Sequence, residues 1–380
     1  MFLNLSFGLK IDTKHSKIYE IEGIIMSENY FSFAALSGIQ GRKGNYLIQV
    51  PLKVLSKFLR EENTQLPVEQ RSQRILNKAR VSQIVKYMVD NPDSYILPPL
   101  VAYISAGEVN FERFDGTVNL GRLKISLDAD VRLFDGQHRR AAIEEAVKIS
   151  KYLGDEYIAV MLYSNGSIEA AQQVFADINI NATKPAQSIK LLFNHRDRLN
   201  KVTREVIDSV PLFKEYVDYE RTNLPSKSKM FFTFSGIYQV TKTMLKEEKI
   251  SDNPEIIHTF WQEVSINIQQ WANLGKLHIE PVELRDSFVH AHSVIWLAIA
   301  EVGCYLIKNR PTDWMQYVER LQHINWSRTD PQWQGRCVIS GRISKARQNI
   351  ILSSNLIFKN IGIPLPEANQ QIEDTFVSVA

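Results

Sequence analysis

The chain has 380 residues, of which 44% are hydrophobic and 23% charged, and its formal net charge is +3. This length exceeds a single ordinary core and predicts two or three domains. The small net charge excludes a strongly polybasic nucleic-acid binder, so a DNA-binding surface would have to come from local clustering of Lys and Arg. The two cysteines, Cys304 and Cys337, have no Cys or His at ligand spacing. Zinc ribbons and disulfide frameworks are therefore excluded, and we expect a reduced, cytoplasmic protein.

The apolar segments of the chain do not predict a membrane protein. The first residues, MFLNLSFGLKID, lack the basic region and cleavage site of a signal peptide. The longest apolar stretch, residues 291–307, contains His292 and Glu301. Its length is marginal for a membrane span, so we predict a buried core helix.

The first 185 residues alternate strands with helices, which is typical of a mixed α/β domain. The predicted elements are a strand and short helix over 46–59, an amphipathic helix from Arg71 to Asn91, a strand over 100–104, a hairpin excursion over 105–127 with an Asp115-Gly116 turn, a strand over 158–163, and a helix over 168–178 capped by Ser167.

The remainder of the chain is predominantly helical. Aromatic residues recur at helical spacing in 229–240 and 260–274, which predicts core positions and not a base-stacking platform. We therefore predict an α+β fold in three parts: a mixed-sheet domain (1–185), a helical domain (186–322) and a basic C-terminal segment (323–380) packed on the rest.

The most informative residues are VRLFDGQHRR, at positions 131–140. They predict a buried strand, a tight turn at Asp135-Gly136 and the start of a helix. A helix N-terminus has unpaired N–H donors and a partial positive charge, so three basic side chains beside it favour a phosphate site. The predicted phosphate-binding or nucleotide-binding residues are Asp135, Gly136, Gln137, His138, Arg139 and Arg140. The alternative is a turn whose arginines are simply solvated.

The segment FDGQHRRAA resembles the signature of the DGQHR-domain family, whose best-known members are the DNA sulfur modification proteins DndB. The resemblance continues through FADININATKPAQSIKLLFNHRD (175–197) and INWSRTDPQW (324–333), and so spans most of the chain. It implies a repressor that binds duplex DNA in the promoter region of the phosphorothioation genes, in company with other DNA sulfur modification proteins.

A more distant similarity is to the nucleotide-binding box of the ParB and sulfiredoxin superfamily, where a Gly-x-[His/Arg]-Arg turn holds nucleotide phosphates. The matching positions are Gly136, Gln137, His138 and Arg139. The resemblance implies a ParB/sulfiredoxin-like domain and, as a cofactor, a nucleotide such as ATP or CTP with Mg²⁺. Gln137 replaces the sulfiredoxin Cys, which excludes a sulfinic-acid reductase, and it replaces the Glu that ParB-type proteins use in hydrolysis.

Two groups of basic residues are candidate DNA contacts. No acidic residue occurs between Pro331 and Pro366, which gives this stretch the polarity of a phosphate-facing surface. A second group would share one face of the amphipathic helix. In each case the alternative is a solvated basic surface. The predicted DNA-binding residues are Arg336, Arg342, Lys345 and Arg347 in the first group and Arg71, Arg74 and Lys78 in the second.

Two functions remain open from the sequence. One is the DNA-binding repressor, which would be a homodimer if its operator is palindromic. The other is a nucleotide-dependent enzyme, an NTPase or a nuclease, acting in DNA modification or restriction. Its candidate catalytic residues are Asp135 and His138, because a carboxylate that orients an imidazole provides a general base; an Asp before Gly also commonly serves only to stabilise a turn. The sequence predicts no metal ligands.

Overall fold

The computed structural model of the protein describes residues 19–21, 24–27, 29–60, 76–164, 168–180, 185–274 and 279–379. The chain divides into two compact units, Met1–Thr183 and Lys184–Ala380. The first unit is a mixed sheet with helices and the second is mostly helical, so the predicted mixed α/β fold is confirmed.

The first unit contains nine strands and four α-helices among its described residues. Short 3-10 helices lie at Leu52–Val54 and Lys151–Asp155. In chain order the strands and helices are β1 (Tyr19–Ile21), β2 (Ile24–Ser27), β3 (Tyr30–Gln40), β4 (Lys43–Pro51), α1 (Leu55–Phe58), α2 (Lys78–Asp90), β5 (Leu100–Ala106), β6 (Val109–Arg113), β7 (Leu120–Ser126), β8 (Asp130–Asp135), α3 (Gln137–Ile149), β9 (Tyr157–Ser164) and α4 (Ile168–Ile180).

The sheet runs β6–β7–β3–β4–β9–β5–β8, and the β1–β2 hairpin also pairs with β3. The pair β5–β9 is parallel, and the other described pairs of the sheet are antiparallel. The centre of the sheet joins distant parts of the chain, since Asn45 pairs with Tyr163. The predicted hairpin excursion is confirmed as β6 and β7, with Gly116 in the left-handed region at its turn.

Strand β8 is packed on both of its faces. Successive side chains of a strand point to opposite faces, and neighbouring residues of β8 belong to different clusters. Leu133 belongs to the main core, together with Ile143 of α3 and Val85 of α2. Phe134 belongs to a small cluster with Tyr103, and Val174 of α4 packs against that cluster. The strand that leads into the DGQHR turn is therefore fixed from two sides.

The second unit has twelve α-helices and two small two-stranded sheets within 185–274 and 279–379. Short 3-10 helices lie at Val289–Ala291, Arg320–His323 and Pro331–Trp333. In chain order its strands and helices are α5 (Gln187–Leu192), α6 (Arg198–Ser209), α7 (Pro211–Tyr216), β10 (Val217–Asp218), β11 (Phe232–Thr233), α8 (Phe234–Met244), α9 (Glu248–Asp252), α10 (Glu255–Asn267), α11 (Gln269–Ala272), α12 (Pro281–Ser287), α13 (Ser293–Asn309), α14 (Trp314–Glu319), β12 (Val338–Ile339), β13 (Arg342–Ile343), α15 (Arg347–Ile361) and α16 (Glu367–Val379).

One hydrophobic core extends from Val202 to Ile363. The apolar stretch 291–307 supplies α13, which is largely buried and packs on α8 and α15. The aromatic residues of the segments 229–240 and 260–274, such as Phe232 and Trp271, are buried, except for the half-buried Tyr238, so their predicted core role is confirmed. Trp333 and Phe358 join the same core, so the C-terminal segment packs on the helical region; a domain boundary at residue 322 stays a prediction.

Candidate functional site

The DGQHR turn connects β8 directly to α3 through one left-handed residue. Gly136 has φ +108° and occupies the N-cap position of α3. A Cβ atom at Gly136 would lie 2.4 Å from Leu100 Cδ2. Both the backbone conformation and the space therefore require glycine at this position.

Arg139 closes the turn by tying it to the segment that precedes β5. Its guanidinium donates to Pro98 O at 2.7 Å, to Pro99 O at 2.9 Å and to Asp135 Oδ2 at 2.6 Å. Burial lowers the pKa of Arg139; the Asp135 carboxylate opposes this effect and the positive charge of Arg80 adds to it. The Asp135–Arg139 pair thus holds the strand, the turn and the neighbouring loop together.

His138 is 7% exposed and faces α2. Its Nε2 atom accepts a hydrogen bond from the Asn77 backbone N–H at 3.0 Å. The Asn77 side chain in turn accepts from the Arg80 N–H and caps α2. His138 therefore joins the first turns of α2 and α3, with Nε2 acting as an acceptor.

Arg140 is also 7% exposed, and its guanidinium forms an ion pair with Glu144 Oε2 at 3.6 Å. The arginines of the turn are therefore packed against protein and do not form the solvated surface considered from the sequence. The hydrogen bonds described above for Asp135, His138 and Arg139 are with protein groups. A phosphate or nucleotide site here, and a catalytic role for Asp135 and His138, stay predictions.

Of the predicted basic face of α2, the structure describes only Lys78. Arg71 and Arg74 lie outside the described residues. Leu76 and Asn77 are non-helical and α2 begins at Lys78, so the predicted helix does not run unbroken from Arg71; a DNA-binding role for Arg71, Arg74 and Lys78 stays a prediction. The physical reason is the Asn77 cap, which starts the helix later than its apolar periodicity indicates. Lys78 itself is exposed.

Arg336 belongs to the interior and not to a DNA-facing surface. Its guanidinium makes two hydrogen bonds with the Glu373 carboxylate, at 2.8 and 2.6 Å, and a third with Leu352 O at 3.0 Å. Lys359 and Asn355 also donate to Glu373. The interpretation of Arg336 as a DNA contact is wrong, because Glu373 of α16 lies beyond the acid-free stretch and pairs with it across 37 residues of sequence.

Glu373 has 2% of its side chain exposed and carries the charge that balances Arg336 and Lys359. Burial by itself raises the pKa of Glu373. The hydrogen bonds from Arg336, Lys359 and Asn355 together outweigh this effect and bring the pKa down to about 2. The carboxylate therefore stays ionised and fastens α16 to α15 and to the segment before β12.

The other three predicted residues of the C-terminal group are exposed. Val338–Ile339 and Arg342–Ile343 form a hairpin whose turn residues, Ser340 and Gly341, both have positive φ. This is the two-residue turn geometry that favours tight hairpins. Arg342 follows the turn, and Lys345 and Arg347 flank the start of α15. We call residues 338–348 the hairpin–helix surface.

The charges of the hairpin–helix surface are not equally available. Arg347 forms an ion pair with Glu301 of α13. No ion pair of Arg342 or Lys345 is found among the residues that the structure describes, and partial desolvation lowers the pKa of Lys345. Arg342 and Lys345 are therefore the residues of this surface best placed to meet an external anion.

A family model described as "DndB: DNA-sulfur modification-associated" matches residues 33–364. The chain belongs to the DndB family. No curated protein and no solved structure matches the chain. Membership in the DndB family associates this protein with DNA sulfur modification, and the match covers both the DGQHR turn and the hairpin–helix surface. Within the described part of this DndB-family chain, no helix is long and apolar enough to cross a membrane.

The sequence analysis did not identify Arg285, an arginine of this DndB-family chain that binds backbone carbonyls distant in sequence, as Arg139 does. Arg285 of α12 donates to Met230 O, Ser228 O and Ser226 O. The partners are backbone carbonyls more than fifty residues away, so no local pattern could identify the interaction. The run Ser226-Lys-Ser-Lys229, with two lysines in four residues, was the available signal that this loop is exposed.

Proposed function

We propose that the protein is a DNA-binding repressor of the DNA phosphorothioation genes, and that it contacts duplex DNA through the hairpin–helix surface. The observation that carries the proposal is the pair of exposed cations, Arg342 and Lys345, on a two-stranded hairpin and its junction with α15. Phosphate contacts from such residues supply most of the sequence-independent part of DNA affinity.

Several features support DNA as the partner of this surface. The turn of the hairpin is anchored, because the Arg328 guanidinium donates to Gly341 O. Ser344 donates to Asn349 Oδ1 at 2.7 Å, which fixes the chain between β13 and α15. A preformed basic surface loses little conformational entropy on binding. Association with DNA sulfur modification supplies a context in which a promoter would be the natural target.

In this proposal the DGQHR turn shapes the first unit. Asp135 and Arg139 hold each other and the loop before β5, and His138 accepts a hydrogen bond from the start of α2. These contacts favour an architectural role over hydrolysis, so we put the regulator ahead of the enzyme. A palindromic operator would require two copies of the chain.

The proposal is tested by fluorescence anisotropy on two duplexes, the one upstream of the modification genes and a scrambled control, at several salt concentrations. We expect a preference for the native duplex of about a thousandfold or more, as specific binders show. Equal, weak binding to both duplexes would contradict the repressor.

The double variant Arg342→Ala/Lys345→Ala is expected to weaken binding to both duplexes. The slope of log affinity against log salt should fall by about two, because each lost phosphate contact removes about one released counterion. A matched control, Lys201→Ala/Lys249→Ala, removes two other exposed cations of the same unit. The hairpin–helix surface would be refuted as the interface if both double variants changed the slope equally.

A further inference from the structure

The structure assigns a second phosphate-contacting segment to the protein, which deepens the proposed function and rests on it. We infer that the loop of residues 219–231, here called the lysine loop, binds the same duplex DNA as the hairpin–helix surface and lengthens the interface across α12. The argument depends on how α12 connects these two exposed basic segments.

One side chain, that of Arg285, contacts the lysine loop at three backbone carbonyls. Arg285 Nη1 donates to Met230 O at 2.6 Å, and Arg285 Nη2 donates to Ser228 O at 2.6 Å and to Ser226 O at 3.1 Å. These three carbonyls alternate with Lys227 and Lys229. Both lysines are exposed. The loop backbone is thus hydrogen-bonded at three points, and the two cations between them face solvent.

The same helix also holds the other basic segment. Two residues after Arg285, Ser287 O accepts a hydrogen bond from the Arg328 N–H at 2.8 Å. The Arg328 guanidinium then donates to Gly341 O in the turn of the hairpin, next to Arg342. The lysine loop and the hairpin are therefore each one side chain away from the end of α12.

The charge of the lysine loop suits an extended polyanion. Lys227 and Lys229 have no ion pair among the described residues, whereas Arg221 of the same loop pairs with Asp218 at 3.1 Å. Duplex DNA carries a negative charge about every 1.7 Å along its axis, so it meets several separated cations at once. A small anion would satisfy only one of the two segments.

Asp286 allows a second test of the inference, in which a negative charge is removed from the proposed DNA path instead of a positive one. It is exposed on α12, directly after Arg285 and before the carbonyl that Arg328 binds. A duplex that crosses α12 passes near this carboxylate and is repelled by it, within the Debye length of about 10 Å at 0.1 M salt. Removing the charge of Asp286 therefore strengthens binding.

The experiment repeats the salt titrations on the full chain with three sets of variants. We expect Lys227→Ala/Lys229→Ala to lower the salt slope by about two, as Arg342→Ala/Lys345→Ala does. Asp286→Asn should raise the affinity, most strongly at low salt. The control Lys201→Ala/Lys249→Ala lies elsewhere: Lys249 donates to Lys308 O, near the C-terminal end of α13. Helix α13 has 17 residues and is about 25 Å long, so its C-terminal end lies far from its N-terminal end, which is the end that follows α12.

The outcomes separate this inference from the proposed function. If the hairpin variants lower the slope while the lysine-loop variants match the control and Asp286→Asn has no effect, the second segment is wrong and the repressor stands. If the wild-type chain shows no preference for the native duplex and no double variant exceeds the control, both the repressor and the second segment are wrong.

Discussion

Replacing Glu373 with Gln is expected to lower the free energy of unfolding of the second unit by about 3–5 kcal/mol, because it leaves the buried Arg336 guanidinium without its counter-charge. The six tryptophans of the chain all lie between Trp261 and Trp333. Urea unfolding followed by tryptophan fluorescence therefore reports on the second unit alone.

The control for this variant is Glu367→Gln, on the same helix. Glu367 is exposed in the first turn of α16, where its interaction with the helix dipole contributes at most about 1 kcal/mol. The double variant Arg336→Met/Glu373→Gln should recover part of the loss, since no unpaired charge is then buried. Equal stability of the Glu373→Gln and Glu367→Gln variants would show that the pair does not fasten α16.

The same carboxylate makes stability depend on pH. The folded-state pKa of Glu373, about 2, lies below its ordinary value of 4.5. The unfolded chain therefore takes up this proton first, and the stabilisation is present above pH 4.5 and lost as the pH falls toward 2. We expect the stability difference between wild type and Glu373→Gln to shrink over that interval. A difference that stayed constant from pH 6 to pH 3 would contradict this assignment.

Replacing Gly136 with Ala is expected to destabilise the first unit by about 2–5 kcal/mol. About 1–2 kcal/mol comes from forcing an L-residue into the left-handed region, and about 1–3 kcal/mol from the contact between the new Cβ and Leu100. The first unit has no tryptophan, so unfolding is followed by circular dichroism and by amide hydrogen exchange in β8 and α3.

Gly116 provides the control for the steric part. It has φ +74°, and nothing lies within 4 Å of a Cβ placed on it. Gly116→Ala therefore incurs only the backbone cost, about 1–2 kcal/mol. If the two alanine variants were equally stable, the close approach of Leu100 would have no energetic weight and the DGQHR turn would be less constrained than its geometry indicates.

The sequence predicted best the elements whose signals are local. The apolar runs of 158–163 and 291–307 led to β9 and α13 with small changes at the ends. Charged residues were harder to interpret, because a positive charge in the sequence does not show where its partner lies. Arg336 pairs with Glu373, which lies far away in the sequence, and Arg139 donates to the carbonyls of Pro98 and Pro99.

The difference between local and non-local signals also explains which candidate site residues lie where the sequence analysis expected them. Periodicity placed Arg71, Arg74 and Lys78 on one helix, but a single cap at Asn77 moved the start of that helix. Arg342 and Lys345 were correctly expected to be exposed, because they occupy a short hairpin and a helix junction without acidic neighbours in sequence. Burial and non-local pairing are the two properties that a one-dimensional pattern leaves undetermined.

The central pairing of the sheet has a consequence for the order in which the protein folds. The neighbouring strands β4 and β9 are separated by more than a hundred residues, and β5 and β9 pair in parallel. Contacts of such long sequence separation form slowly, because a large loop must close first. The carbonyls that Arg139 binds and the backbone N–H that His138 accepts from are positioned only after this closure. A peptide spanning 131–150 should therefore not adopt the native turn, and the most recognisable sequence motif of the chain is expected to be among the last parts to reach its final geometry.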